Sequence, residues 1–405
     1  MLLLQVVSFV LLLPAAVVLL VVGAIVVTQK RAAGGQDRTA CSCGGSGYHA
    51  HTGMICSDGV NETLSPLSRF LYLFFNSALG QYYWDHKIDK HRREGDGPHT
   101  QTETVHCGDA FMVHPVAVEG DNYAYLLVDK ASGEVAAVDP ADPAAVVEAM
   151  HQLDREGGPW ADGRGRRLRL TTVLTTHGHY DHDGGNAALR QQFPGIRVVG
   201  GAGDGVIGAT VQAKHGDIFV LGGGGVDGSH HSQRGSGGVQ INVLKTPCHT
   251  PHHVCYHVTE MNGNDKHHAL FSGDTLFVGG VGKFFEGGGE AMARSLFDVL
   301  LGTLPTETLL FCGHEYTVPN LKFARLAEPD NIAIREKLEW SERRRLDKKQ
   351  TMPSTLKEEL TYNPFLRATK GPRRAAVLCA LRSAKDEGCD KEEQVMSRVS
   401  RAMRE

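Results

Sequence analysis

The segment TTHGHYDHDGGN, residues 175–186, holds the side chains best suited to chemistry. His177, His179, Asp181 and His182 sit just past an apolar, strand-like stretch and just before a run with helical spacing. A strand end is rigid, and the loop that follows can turn several side chains toward one point. Imidazole nitrogens with a carboxylate suit zinc, and mixed His/Asp sets suit catalytic metals that keep one coordination position open. Four donors in so short a loop cannot all reach one ion without strain. A His–His pair beside an Asp–His pair therefore fits two adjacent ions. A surface loop with scattered histidines is the plainer reading, and the strand–HxHxDH–helix order argues against it.

Three later segments could complete such a site. TPCHTPHH (246–253) offers His249, with His252 and His253 as rivals; FSGDTLF (271–277) offers Asp274; LLFCGHEY (309–316) offers His314. Each alone is a polar residue at a strand end. All of them at strand ends is a pattern.

The elements that must position these residues can be read from periodicity. YAYLLVD (123–129) and EVAAVDP (134–140) form a hairpin pair, and DPAAVVEAMHQL (142–153) has helical spacing after an acidic start. LRLTTVLTT (168–176) is a strand, GGNAALRQQF (184–193) a helix and IRVVG (196–200) a strand. Further strands are expected at 217–221, 239–245, 253–259, 269–272 and 308–312, and a helix near 290–301. Mixing of this kind indicates an α/β or α+β domain with sheet in its core. Residues 222–238, GGGGVDGSHHSQRGSGG, read as a flexible loop insert in which His230 and His231 are solvated. After about 317 the pattern turns helical and charged, as in IAIREKLEWSERRRLDKK (332–349).

With 405 residues the chain has room for two domains, and 41% apolar residues can fill their cores. A net charge of −4 excludes the strongly basic surface of a nucleic-acid binder. Nine cysteines in a chain of this length read as reduced thiols, not as a disulfide framework.

The first charged residue is Lys30, and the apolar run before it is long enough for a membrane span of ~20 residues. Residues 1–29 are therefore expected to be an uncleaved single-pass anchor. Lys30, Arg31 and Arg38 after it place the catalytic region in the cytosol. Residues 30–105 read as a juxtamembrane linker, in which the apolar and aromatic segment 70–84 suits the membrane interface.

The motifs THGHYDHDGGN, TPCHT, SGDTLFVGGVGKFFEGG and CGHEYTVPNLKFARLAEPDN resemble the metallo-β-lactamase superfamily, and within it the glyoxalase II, or hydroxyacylglutathione hydrolase, family. TYNPFLR (361–367) is similar to that family's C-terminal helical domain, and the likeness covers roughly 110–390. The apolar N-terminal region and the stretches STLKEELTYNPFLR and EKLEWSERRRLDKK most resemble a membrane-associated branch of the family.

The resemblance implies an α+β fold: an αββα sandwich over 106–316 followed by a helical substrate-binding domain over 317–405. It implies one ion held by His177, His179 and His249, a second held by Asp181, His182 and His314, and Asp274 bridging both. The ions would be two Zn2+, with iron or manganese as alternatives. Hydroxide held between them would attack the thioester of an S-acyl-glutathione, which makes Asp181, His182 and Asp274 catalytic. A thiolate leaves readily, so neither a strong general acid nor a serine or cysteine nucleophile is needed, and Cys248 has no assigned role. Lys283, Tyr316, Arg382 and Lys385 would contact the glutathione moiety. Phe285 stands where the family often has tyrosine, and His252 where it usually has glycine; a side chain at 252 is expected near the metals. Two other readings stand beside it: a mononuclear iron persulfide dioxygenase, and a membrane-bound interaction protein on the hydrolase fold. The sequence names no protein partner.

Overall fold

The computed structural model describes residues 99–404 apart from 119, 158–166, 223–237, 262–266 and 368–372. The expected anchor (1–29), the interfacial segment (70–84) and most of the loop insert, with His230 and His231, lie outside the described residues. Among the described residues no helix is long and apolar enough to cross a membrane. The single-pass membrane placement expected from the sequence thus finds no span among the described residues.

Two sheets carry the fold. The first runs β1 (Val105–Cys107), β2 (Phe111–Ala117), β3 (Tyr123–Asp129), β4 (Glu134–Val138), β5 (Arg169–Thr175), β6 (Arg197–Gly201) and β7 (Val211–Ala213), in that spatial order. The second contains β8 (Ile218–Leu221), β9 (Val239–Lys245), β10 (Val254–Glu260), β11 (His268–Gly273), β14 (Leu309–Cys312) and β15 (Ser354–Thr355), in the order β15-β14-β11-β10-β9-β8. A short hairpin, β12 (Leu276–Phe277) and β13 (Gly280–Val281), stands apart.

Every residue of β3 is buried, because both faces of the first sheet are covered. Alternation sorts them. Tyr123, Tyr125 and Leu127 face the core shared with Val243, Tyr256, Phe271 and Phe311 of the second sheet. Ala124, Leu126 and Val128 face the layer formed with Val146, Val147, Met150 and Leu153 of α1 (Pro143–Glu156). The helix starts where Asp142 accepts from the backbone N–H of Ala144 and Ala145, both at 3.0 Å, with Pro143 in the first turn. Two tyrosines stitch the sheets together. Tyr256 donates to the carbonyls of Thr175 at 2.8 Å and Val199 at 3.1 Å. Tyr125 donates to the carbonyl of Cys312.

Between β5 and β6 in the chain lie α2 (Tyr180–Asp183) and α3 (Asn186–Gln192). On the second sheet's side, α4 (Gly289–Ala293) runs through a π-helical stretch (Arg294–Leu300) into α5 (Leu301–Thr303). Helices α6 (Thr317–Ala327), α7 (Ile332–Leu346), α8 (Leu356–Tyr362), α9 (Pro364–Arg367), α10 (Arg374–Asp386) and α11 (Glu392–Arg404) follow. The arrangement is the expected α+β sandwich with a helical C-terminal region. That region is not purely helical, since β15 pairs antiparallel with β14 at the edge of the second sheet. Glu359 of α8 is fully buried and accepts from Gly279 N–H at 2.9 Å, Ser354 at 2.6 Å, Tyr362 at 2.8 Å and Asn363 at 3.0 Å. This satisfied carboxyl fastens the helices to the β12–β13 hairpin, which leads from Asp274 to Lys283.

Phe311 lies at the centre of the sandwich, 5.5 Å from the Phe271 ring and 5.6 Å from the Tyr125 ring. Phe311→Ala is expected to destabilise the protein by about 3–5 kcal/mol in denaturant unfolding; a loss below about 1 kcal/mol would contradict this placement.

Candidate metal centre

Strand direction brings the donors together. β9 and β11 are both antiparallel to β10, and β14 is parallel to β11, so the ends of β9, β11 and β14 open on one edge. These ends lead to His249, Asp274 and His314. The end of β5 reaches the same edge from the first sheet, where Val254 N–H donates to the Thr176 carbonyl at 2.9 Å. Two glycines permit the close approach. A Cβ at Gly313 would stand 2.5 Å from Asp274 Oδ1 and 2.8 Å from a His182 ring carbon, and one at Gly178 would stand 2.4 Å from the Asp204 carbonyl oxygen.

Two triads, His177–His179–His249 and Asp181–His182–His314, each have their ligand atoms within 4.8 Å of one another, and His177, His182 and Asp274 form a third such group that spans them. In the first, His179 Nδ1 is 2.9 Å from His177 Nε2 and 3.1 Å from His249 Nε2. In the second, Asp181 Oδ2 is 3.9 Å from His182 Nε2 and 3.7 Å from His314 Nε2. Asp274 stands between them. Its Oδ2 lies 3.4 Å from His249 Nε2, while its Oδ1 lies 3.5 Å from His182 Nε2 and 3.4 Å from His314 Nε2. Among the described residues Oδ1 takes no hydrogen bond although it is buried. A tetrahedral ion with bonds of ~2.0–2.1 Å separates its ligand atoms by about 3.3 Å. The spacings and donor types fit two divalent ions sharing one carboxylate.

The outward nitrogens of the rings are fixed by partners. His182 Nδ1 donates to Asp139 at 3.0 Å, His249 Nδ1 to the Lys283 carbonyl at 3.1 Å and His314 Nδ1 to Asp121 at 2.8 Å. His177 Nδ1 donates to Thr176 Oγ1 at 3.0 Å, which in turn donates to Asp139 at 2.8 Å. Such partners aim the rings and fix their tautomers. Asp204 joins the two loops of the first triad, accepting from Gly178 N–H at 2.8 Å, Thr250 Oγ1 at 3.1 Å and His252 N–H at 3.1 Å. Sequence reasoning missed Asp121, Asn122, Asp139 and Asp204. Asp139 obeys the same strand-end rule that singled out the ligands, since it directly follows β4.

Protonation follows position. Burial pushes His249 down to about 3 and holds His177 and His179 below the usual imidazole range. These are neutral donors. Burial would raise Asp274 and Asp181, but the facing His314 and His182 outweigh it and hold both carboxyls low. Burial would lower His182, yet Asp181, Asp274 and Asp139 overcome it and raise it to about 9. His314 is likewise raised against burial by Tyr316, Asp274 and Asp121.

The rivals of His249 are separated by the fold. His253 is buried and accepts from Asp274 N–H at 3.2 Å, supporting the bridging residue without joining a triad. His252, expected near the metals, instead turns its ring to Gly203, with Lys245 Nζ at 3.4 Å. Its backbone N–H is held by Asp204, which points the side chain out of the centre and removes the anticipated crowding. Cys248 is buried and its thiol is pushed up to about 12, so it is no thiolate.

The other singled-out residues border the centre. The Phe285 ring lies 5.0 Å from His249 and 6.0 Å from His179, with Lys283 Nζ 5.7 Å from its centre. Tyr316 stacks on His314 at 4.7 Å. Lys385 donates to Asn320 of α6, and burial with Arg382 and Lys283 nearby holds its amine well below the usual lysine range. Arg382 is buried and engaged, donating to Asp386 at 2.7 and 3.1 Å and to the Val281 carbonyl at 3.0 Å.

Residues 117–314 match the metallo-beta-lactamase superfamily, and residues 315–399 match the hydroxyacylglutathione hydrolase C-terminus. A cytoplasmic hydroxyacylglutathione hydrolase of Arabidopsis thaliana is 43% identical over 250 residues, spanning 62% of this chain and 85% of the relative. A hydroxyacylglutathione hydrolase-like protein of Gallus gallus is 41% identical over 282 residues, spanning 68% and 89%. A solved structure of ETHE1 from Myxococcus xanthus aligns with a TM-score of 0.41 and 22% identity, over 75% of this chain and all but a little of the other, 99%. The word cytoplasmic in the plant relative's name also stands against the membrane placement expected from the sequence.

A metal binds only deprotonated imidazole, while the acids around His182 and His314 raise both above the usual imidazole range and favour their protonated forms when no metal is bound. Zinc uptake at pH 7 is expected to release protons, and the apparent affinity to rise with pH up to about 9. Calorimetry in buffers of different ionisation heats reads this directly; uptake without proton release would contradict it.

Proposed function

The chain belongs to the hydroxyacylglutathione hydrolase family of metal-dependent thioester hydrolases, within the metallo-β-lactamase superfamily; from this we propose that it hydrolyses S-acyl-glutathione thioesters, S-lactoylglutathione among them, with two zinc ions. The observation that carries the two-ion reading is the division of Asp274, one oxygen toward each triad. His177, His179 and His249 would hold one ion, Asp181, His182 and His314 the other. When bound, the pair supplies an activated water at neutral pH and a Lewis acid for the developing oxyanion.

The chain's own residues supply position and selectivity. The neutral imidazoles of the first triad and the ionised Asp181 and Asp274 are already in their ligating forms. Lys283 provides a cation for a carboxylate of glutathione and Lys385, its amine held low by burial, a hydrogen-bond donor, with Tyr316 beside the second triad and Phe285 as an apolar wall over the first. Arg382, fixed by Asp386 and the Val281 carbonyl, holds the Lys283 loop against α10. A thiolate leaving group requires no proton from the protein, which agrees with the high thiol pKa of Cys248, about 12.

The test is thiol release from S-D-lactoylglutathione by the zinc-loaded protein. Asp181→Ala with His182→Ala removes charge stabilisation at the oxyanion, where losing a single donor costs about 10²–10³ in kcat. A loss of at least that size is expected. A fully metal-loaded protein that releases no thiol from any glutathione thioester would sink the proposal; one iron per chain with sulfite formed from glutathione persulfide would favour the mononuclear dioxygenase.

A further inference from the structure

A short segment outside both family-matched stretches braces the turn that supports the second triad. Residues 99–103 lie along the end of α7 and are clamped to it. Arg345 donates to the His99 carbonyl and to Thr100 Oγ1, both at 2.9 Å. Gln101 N–H donates to the Lys348 carbonyl at 2.6 Å, and Glu103 N–H to Gln350 Oε1 at 2.8 Å. The other side of the segment meets the turn at Asp121–Asn122. His99 Nε2 donates to the Asn122 carbonyl at 2.9 Å, while its Nδ1 accepts from Thr100 Oγ1 at 2.7 Å, and its ring packs on Tyr123 at 5.3 Å. Both ring nitrogens are thus used by one neutral tautomer, in keeping with burial that lowers the imidazole's pKa.

The turn that His99 holds supports two of the second triad's three donors. Asp121 Oδ1 accepts from His314 Nδ1 at 2.8 Å. The buried Asn122 donates from Nδ2 to the Asp181 carbonyl at 2.9 Å and to Asp181 Oδ2 at 3.3 Å, and its backbone forms a bridge with His314. The first triad is held by other means, through Thr176, the Lys283 carbonyl and Asp204. We propose that His99 is a positioning residue for the second metal subsite: through the Asn122 carbonyl it sets the turn that aims His314 and Asp181, so the N-terminal segment governs occupancy of the second ion and not the first. This rests on the two-ion reading above.

Zinc titration of the metal-free full chain against a competing chelator tests it without using turnover. Wild type should take up two ions; uptake of one would overturn the two-ion reading itself, before any variant is compared. His99→Ala should bind the first ion as wild type does and the second about 10–100-fold more weakly, the usual cost of losing a ligand's supporting partner. His99→Gln can still donate to the Asn122 carbonyl and accept from Thr100, and should restore most of the second-ion affinity. Equal weakening of both ions in His99→Ala, or no weakening of either, overturns the proposal. So does a His99→Gln protein that folds and loses as much as His99→Ala, and the glutamine variant decides the matter even if the alanine variant fails to fold.

Discussion

One buried carboxylate organises this protein. Asp274 is 7% exposed and faces three imidazoles, with one oxygen on each side of a divided donor set. An ionised carboxylate in such a place is costly unless positive charge meets it. His182 and His314 meet that need in the metal-free protein by holding protons. Divalent ions held by the two triads would meet it better, because they would supply positive charge and leave every imidazole free to act as a ligand. The expected coupling of metal uptake to proton release follows from this exchange of one positive charge for another.

The remainder of the fold brings four strand ends to that carboxylate. Neither sheet alone could do so, because the first provides the loop after β5 and the second the loops after β9, β11 and β14. The tyrosine bridges from Tyr125 and Tyr256 fix the sheets' separation close to the site. Around the donors lies a ring of supporting acids, Asp121, Asp139 and Asp204, each holding a different part of the centre. Asp139 does so from a left-handed backbone, at φ 48°, that non-glycine residues rarely adopt. The C-terminal helices add cations to the border of the site and, through Glu359, hold the hairpin that links Asp274 to Lys283.

The four donor-bearing loops were legible because the same physics marks each of them, polar ligand-type residues just past an apolar strand, while the full division of the donors between two ions came from the resemblance. The long strands and the amphipathic α1 were legible for the same reason, since each has one period and a covered face. What escaped reading lacked a local signal. β12, β13 and β15 are two residues each, and β15 exists only because a distant segment reaches the edge of β14. β2 contains Pro115, which weakens a strand reading. His252 and His253 could not be told apart from His249 by composition; backbone contacts with Asp204 and Asp274 separate them. The membrane expectation rested on an apolar run and the basic residues after it, all of which lie outside the described residues.

X-ray absorption at the zinc edge of the loaded full chain tests the central claim most directly. If Asp274 joins two subsites, a zinc–zinc scattering distance of ~3.5–4 Å accompanies two ions per chain, and Asp274→Asn abolishes that signal. A centre with a single zinc and no metal–metal scattering, or one whose pair persists unchanged in Asp274→Asn, would contradict the account.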